Sequence, residues 1–311
     1  MRALVAGETL VDMLPGSSGP LASVERFDRR LGGAPANVAV GLSRLGGQPL
    51  FWTRLGSDPF GDYLADRLAA EGVAGDLVER DPDARTGLAF VSLDDDGERS
   101  FVFYRDGSAD TRLDPDRAPD VPLDDVDWLH VGGVLLADEP ARSATLRLAR
   151  AASRTGVTVS FDPNARPELW ETFDYGPSVR TALDVADVVK ASLDDLRDAG
   201  FRGDPPAVAD SVLDAGPHTV FLTLGDAGAV AATTGPWPGA ARVRHGGYDV
   251  ETVDTTGAGD AFLAGAVSAL RTGESLGEAV AFAGAAAALT TTARGAVETF
   301  PTREAVRSLR D

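Results

Sequence analysis

The stretch Asp254–Val267, DTTGAGDAFLAGAV, sets two glycines and an alanine directly before a carboxylate and then runs on as a helix. Gly257 and Gly259 permit backbone conformations and close approaches that a side chain blocks, and Ala258 intrudes little between them. Consecutive amides can then point inward at a helix start, where unpaired N–H groups and the positive end of the dipole converge on an anion. Asp260 falls in the first turn, where the dipole stabilises its ionised form and leaves it able to accept a proton. An anion hole beside a base is what phosphoryl transfer to an alcohol asks for. The same residues would also serve an ordinary Gly-rich helix start, with Asp260 as a capping residue.

Outward from this stretch, apolar runs of strand length alternate with amphipathic helical stretches. RALVAG is followed by a helix over 34–45, PLFWTRLG by one over 59–70, and WLHVGG by one over 140–155, before VTVSFD, VADVVKAS and TVFLTLG. Strand then helix, repeated, predicts parallel crossovers and therefore a doubly wound α/β fold, a mostly parallel sheet with helices on both faces. Ligands of such sheets gather outside the carboxyl ends of the strands. Residues 11–30 and 85–110 break the rhythm. TGLAFVSL and RSFVFYR alternate around the turn-forming DDDG and read as a small antiparallel β lid, serving as an active-site cover, a packing or dimer surface, or both. The closing third reads as helices over 254–271 and 276–292. No linker or repeat divides the chain, so residues 1–311 read as one domain.

A net charge of −19 argues against a nucleic-acid partner, since phosphate backbones are bound by basic surfaces. An anionic small molecule would need a local positive site made of backbone amides or a few arginines. The chain has no cysteine, which removes disulfides, thiolate metal sites and thiol nucleophiles together, and His130, His218 and His245 are too scattered in sequence to suggest zinc. No apolar run reaches membrane-spanning length and MRALVAGETL reads as a strand rather than a leader, so a cytoplasmic protein that does not enter a membrane is expected. The composition holds 28 arginines but one lysine, Lys190, and two asparagines, Asn37 and Asn164. Residues this scarce in such a background mark specific contacts.

DTTGAGDAFLAGAV resembles the C-terminal signature of the ribokinase-like (PfkB) carbohydrate kinases, and GGAPANVAVGLSRLGG, Gly32–Gly47, resembles their N-terminal one. GETLVDM, FVFYRDGSAD, SFDPNARPELW, VVKAS and TLGDAG are similar to the fructokinase and 2-keto-3-deoxygluconate kinase branch. The resemblance implies an ATP- and Mg²⁺-dependent sugar kinase that phosphorylates a primary hydroxyl, with fructose as first acceptor and 2-keto-3-deoxygluconate as the alternative. A nucleoside kinase and an idle sugar-binding protein are more distant readings. It further implies Asp260 as general base, Gly257, Ala258 and Gly259 as anion hole, and Asp12, Gly32, Gly33, Asn37, Tyr104, Arg105 and Arg166 at the sugar. Lys190, Thr223, Gly225 and Gly228 would meet the nucleotide, whose magnesium is held by phosphates and water. Some relatives build a K⁺ site from carbonyls near positions matching Asp254, Thr256 and Gly295, which stays an open alternative, and a homodimer through the β lid is expected. One departure stands out: where ribokinase-type members carry NxxE, KASL supplies Lys190 and Leu193, leaving Asp194 or Asp195 to provide an acid.

Overall fold

The computed structural model describes residues 2–17, 19–93 and 99–311. In chain order these form β1 (Arg2–Ala6), β2 (Leu10–Pro15), β3 (Phe27–Gly32), α1 (Ala34–Arg44), β4 (Leu50–Gly56), α2 (Pro59–Ala70), β5 (Val78–Asp81), β6 (Leu88–Leu93) and β7 (Arg99–Tyr104). There follow β8 (Val126–Gly132), α3 (Ala141–Arg154), β9 (Thr158–Asp162), α4 (Tyr175–Leu183), β10 (Val188–Ser192), α5 (Leu193–Asp198), α6 (Pro205–Leu213), β11 (Thr219–Thr223), β12 (Ala229–Thr233), β13 (Arg242–His245), α7 (Ala258–Arg271), α8 (Leu276–Thr290) and α9 (Arg303–Arg310).

A nine-stranded sheet runs in the order β13-β12-β11-β10-β9-β8-β1-β4-β5. It is parallel from β5 to β11, with β12 and β13 antiparallel at one edge. Successive residues serve opposite faces: Phe51 belongs to the core on the face covered by α1, α2, α7 and α8, while its neighbour Trp52 belongs to the core on the face covered by α3 to α6. Burial on both sides explains why these strands read as unbroken apolar runs. The order reverses at β1, which lies between β4 and β8, so the crevice at such a switch point opens just beyond Ala6.

The second sheet has four strands in the order β3-β2-β6-β7. Its outer pairs are antiparallel, as the alternation predicts, while its central pair, β2 with β6, is parallel. Each of these two strands departs from the carboxyl end of a main-sheet strand, so both leave in the same direction. The DDDG turn, 94–97, lies outside the described residues.

Two helix ends differ from the sequence reading. The last helix pair begins at Ala258 rather than at 254, because Asp254 spends its carboxylate on loop amides and Gly257 is left-handed, at φ 76°. Its second member stops at Thr290. Small residues let α1 and α7 approach closely: a Cβ added at Gly41 would sit 2.8 Å from that of Ala264. This contact holds Asn37 of α1 opposite Asp260 of α7. Gly41→Val should therefore cost about 1–3 kcal/mol by urea denaturation, through overpacking that outweighs its better helix propensity. Turnover should fall with it, whereas unchanged stability would show that the two helices can slide apart freely.

Candidate active site

The N-terminus of α7 is held open by its surroundings. A side chain at Gly257 would meet Ala296 and Phe300 at 2.7–3.0 Å, on a backbone already left-handed. Asp254 braces the turn before it, accepting from the Thr256 amide at 2.8 Å and hydroxyl at 2.6 Å, and from the Gly295 amide at 2.9 Å. The structure thus brings Asp254, Thr256 and Gly295 together behind the amides of Ala258, Gly259 and Asp260.

Lys190 comes to the same spot from the middle of β10. A Cβ built at Gly259 would lie 2.8 Å from its Nζ, so the ammonium packs directly against the turn. Nζ donates to Asp162 Oδ2 at 2.8 Å, deep between the strands. Burial opposes the charge on Lys190, but Asp162, Asp195 and Asp260 outweigh it and raise its pKa. Asp260 is half-buried on α7 and accepts from Asn37 Nδ2 at 2.8 Å. Burial pushes its carboxyl up to about 6, against the pull of Lys190 and the Asn37 hydrogen bond. That suits a base working near neutral pH. His130, driven down to about 3 by burial and Lys190, stays neutral inside the sheet.

Of the two acids after the strand, the structure separates the roles. Asp195 caps α5, accepting from the Ser192 amide and hydroxyl, and its other oxygen accepts from the Ala165 amide at 2.9 Å beside the cluster. Asp194 points to solvent and pairs with Arg197.

At the switch point a second group of polar side chains converges. Gly32 and Gly33 let the chain pass between Asp12 and Glu8: a Cβ at Gly32 would strike the Asp12 carboxylate, and one at Gly33 the Glu8 carbonyl at 2.5 Å. Arg105 is buried and donates from Nε to Asp110 Oδ2 at 2.6 Å. Arg166 follows Asn164, which supplies a left-handed turn at φ 41°, and its guanidinium lies over the lid residue Phe101, 5.5 Å from the ring centre. Among the described residues, Glu8 Oε2, Asn37 Oδ1, Arg105 Nη2 and Asp162 Oδ1 are buried without a hydrogen-bond partner. Buried polar atoms are almost always paired, so a set of orphans from strand ends and from α1 points to a polar ligand. Tyr104 does not join them. It shares the opposite lid face with Phe90, its ring 5.4 Å away, and is 65% exposed, because adjacent strand residues point to opposite faces.

Beyond α7 lies an apolar cavity of about 240 Å³ lined by Thr223, Gly225, Gly228, His245, Tyr248, Ala258, Gly259 and residues of α8. Gly228 is required here, since a Cβ would strike the His245 carbonyl. Three of the four residues expected at the nucleotide line this cavity, which ends at the start of α7, while Lys190 stands at that end.

Sequence reasoning misses Glu8, Asp110 and Asp162. Glu8 and Asp162 share a visible signal: each is a carboxylate that terminates an apolar strand, after RALVAG and after VTVSF. Asp110 has none, because no periodic pattern marks the turn after β7 that sets it against Arg105.

A base with a pKa of about 6 makes kcat/KM fall about tenfold per pH unit below that value. Asp260→Asn should lower kcat about 10²- to 10⁴-fold while ligand binding persists, measured by steady-state kinetics and calorimetry. Retention of more than about a tenth of wild-type kcat would remove Asp260 from the role of base.

Comparison with known proteins identifies the family. The model of the pfkB family carbohydrate kinases matches residues 2–303. A probable chloroplastic fructokinase-6 of Arabidopsis thaliana is 39% identical, over 96% of this chain and 80% of its own. The structure of a fructokinase with bound ATP from Xylella fastidiosa superposes with a TM-score of 0.88 at 33% identity, covering 99% of this chain and 97% of that one. A fructokinase from Vibrio cholerae in fructose, ADP and calcium ion bound form gives 0.88 at 34% identity, covering 100% and 99%. This chain belongs to the pfkB family of carbohydrate kinases.

Proposed function

We propose that the protein is an ATP-dependent fructokinase, moving the γ-phosphoryl group of ATP to a primary hydroxyl of fructose. One observation carries this reading: the apolar cavity and the group of orphaned polar atoms meet at a single helix start, where Asp260 and Lys190 stand side by side. The orphans offer both donors and acceptors, as a polyhydroxylated ligand needs, and the similar fructokinases hold ATP in one case and fructose with ADP in another.

In this mechanism the sugar hydroxyl attacks the γ-phosphorus, the bond to the β-phosphate oxygen breaks, and Asp260 takes the hydroxyl proton and later returns it to solvent. Asn37 holds one carboxylate oxygen, leaving the other to face the hydroxyl. The amides from Ala258 to Asp260 and the Lys190 ammonium oppose the charge on the transferred group. Arg166, lying over Phe101, joins the sheet to the lid, whose closure excludes water. Magnesium would arrive with ATP, and Asp162 fits as the chain's donor because its Oδ1 is buried and unpartnered beside Lys190. A K⁺ ion near Asp254, Thr256 and Gly295 belongs to the same reading, as does a cytoplasmic location, where ATP is supplied.

The test is ADP release across fructose, 2-keto-3-deoxygluconate, ribose, tagatose and adenosine. Fructose should give the highest kcat/KM, and Arg166→Lys should affect fructose and the sugar acid within about tenfold of each other. A wild-type preference for the sugar acid, abolished selectively by that substitution, would replace fructokinase with 2-keto-3-deoxygluconate kinase.

The outer lid face supports assembly as a homodimer through the lid. Phe27 and Phe90 meet edge to face at 5.2 Å, next to Tyr104 and to Val102, which is 43% exposed. Such a patch is costly in water unless covered. Light scattering should give a dimer for the wild type and a monomer for Val102→Asp/Tyr104→Asp, whereas a monomeric wild type would leave the patch with another use.

A further inference from the structure

The sugar end of the cleft holds more carboxyl groups than its nearest guanidinium can balance. Arg105 follows β7, where the lid chain returns to the main sheet, and is 4% exposed. Its Nε is committed to Asp110 at 2.6 Å. Asp110 is itself fixed: its second oxygen accepts from Ser108 Oγ, and Gly87 packs so closely that a Cβ there would lie 3.2 Å from Oδ1. From the end of β1, Glu8 presents a second buried carboxyl to the same guanidinium, with Oε2 unpartnered.

A substrate carboxylate is best held by a free guanidinium fork that gives it two parallel hydrogen bonds. Asp110 takes Nε of Arg105 at 2.6 Å, which removes the fork that pairs Nε with an Nη, and its carboxylate offsets the guanidinium charge that a substrate carboxylate would need. Arg105 keeps Nη2, a buried donor without a partner, suited to a hydroxyl or keto oxygen. Arg166 is turned to other contacts, its Nη1 donating to the Ala165 carbonyl at 2.6 Å and its guanidinium lying over Phe101. We infer, on the basis of the fructose reading and as a deepening of it, that Asp110, backed by Glu8, is a charge filter that sets acceptor specificity, admitting neutral sugars and rejecting sugar acids.

Glu8 makes the filter sensitive to pH. Burial pushes its carboxyl up to about 7 against the pull of Arg105, with Asp110 and Asp260 adding to the rise. Below that pH Glu8 is neutral, and above it a second negative charge faces the incoming ligand. A sugar acid, with an ordinary carboxyl pKa of roughly 3–4, stays ionised throughout. The preference for a neutral sugar should therefore grow as pH rises through about 7. Asp260 also titrates nearby, but it serves both acceptors alike and cancels in their ratio.

The experiment measures kcat/KM for fructose and for 2-keto-3-deoxygluconate in wild type, Asp110→Asn and Glu8→Gln. Asp110→Asn keeps an acceptor for Arg105 and removes only the charge, so the ratio of fructose to sugar acid should fall at least about tenfold at pH near 8. Glu8→Gln should flatten the pH dependence of that ratio. A ratio in Asp110→Asn within about threefold of wild type overturns the inference. If that variant does not fold by circular dichroism, the wild-type ratio decides: a rise of at least about threefold from pH 6 to 8 supports the filter and a flat profile overturns it. A wild type that favours another neutral sugar displaces fructose alone, and the filter is then read with that sugar.

Discussion

A lysine ammonium set between carboxylates at the mouth of the sheet is the interaction on which the site depends. Lys190 is buried, and its charge persists only because Asp162, Asp195 and Asp260 surround it. The dependence is mutual. Burial raises the Asp260 carboxyl, whereas Lys190 and Asn37 pull against that rise, and the balance stands at about 6. A base must be ionised to act yet basic enough to take a proton, so the opposed effects of burial and charge place it in a narrow useful range. Replacing any one of these charges would leave another uncompensated in a poorly solvated place.

The fold supplies the distances. Asp162 comes from the carboxyl end of a strand and Asp195 and Asp260 from the first turns of helices, positions that a doubly wound sheet gathers at one edge, and the long side chain of Lys190 reaches them from the middle of β10. Close approach follows from small residues: Gly41 against Ala264 joins α1 to α7, and Gly265 against Ala283 seats α7 on α8. The second contact also shapes the apolar cavity, whose walls are α7, α8 and the loop around Gly228. The chain crosses between the main sheet and the lid four times, and two of these crossings carry the buried groups Glu8 and Arg105, so the pocket floor and the lid hinge share residues.

Much of this is legible in the sequence. The alternation of apolar strands and amphipathic helices predicts the parallel sheet, and the glycines before Asp260 predict the amide cradle. Scarcity is informative as well: Asn37 bonds Asp260, Lys190 pairs with Asp162, and Asn164 takes a left-handed turn that few other residues tolerate. The features that escape depend on how the chain leaves the lid. Asp110 acquires its meaning from the turn after β7 that folds it back onto Arg105, and Tyr104, the last residue of that strand, falls on its other face, so neighbours in FVFYRDGSAD part company. The edge strands β12 and β13 escape too, since short runs such as AVAAT and RVRH carry weak periodic signals and depend on β11 for pairing.

The most direct measurement is a crystal structure with fructose and a non-hydrolysable ATP analogue bound together. The account predicts a primary hydroxyl of the sugar within hydrogen-bond reach of the free oxygen of Asp260, the terminal phosphate on the amides of Ala258 to Asp260, and the base of the nucleotide in the cavity beside Gly228 and α8. Sugar bound away from Asp260, or a terminal phosphate held elsewhere than at the start of α7, would contradict it.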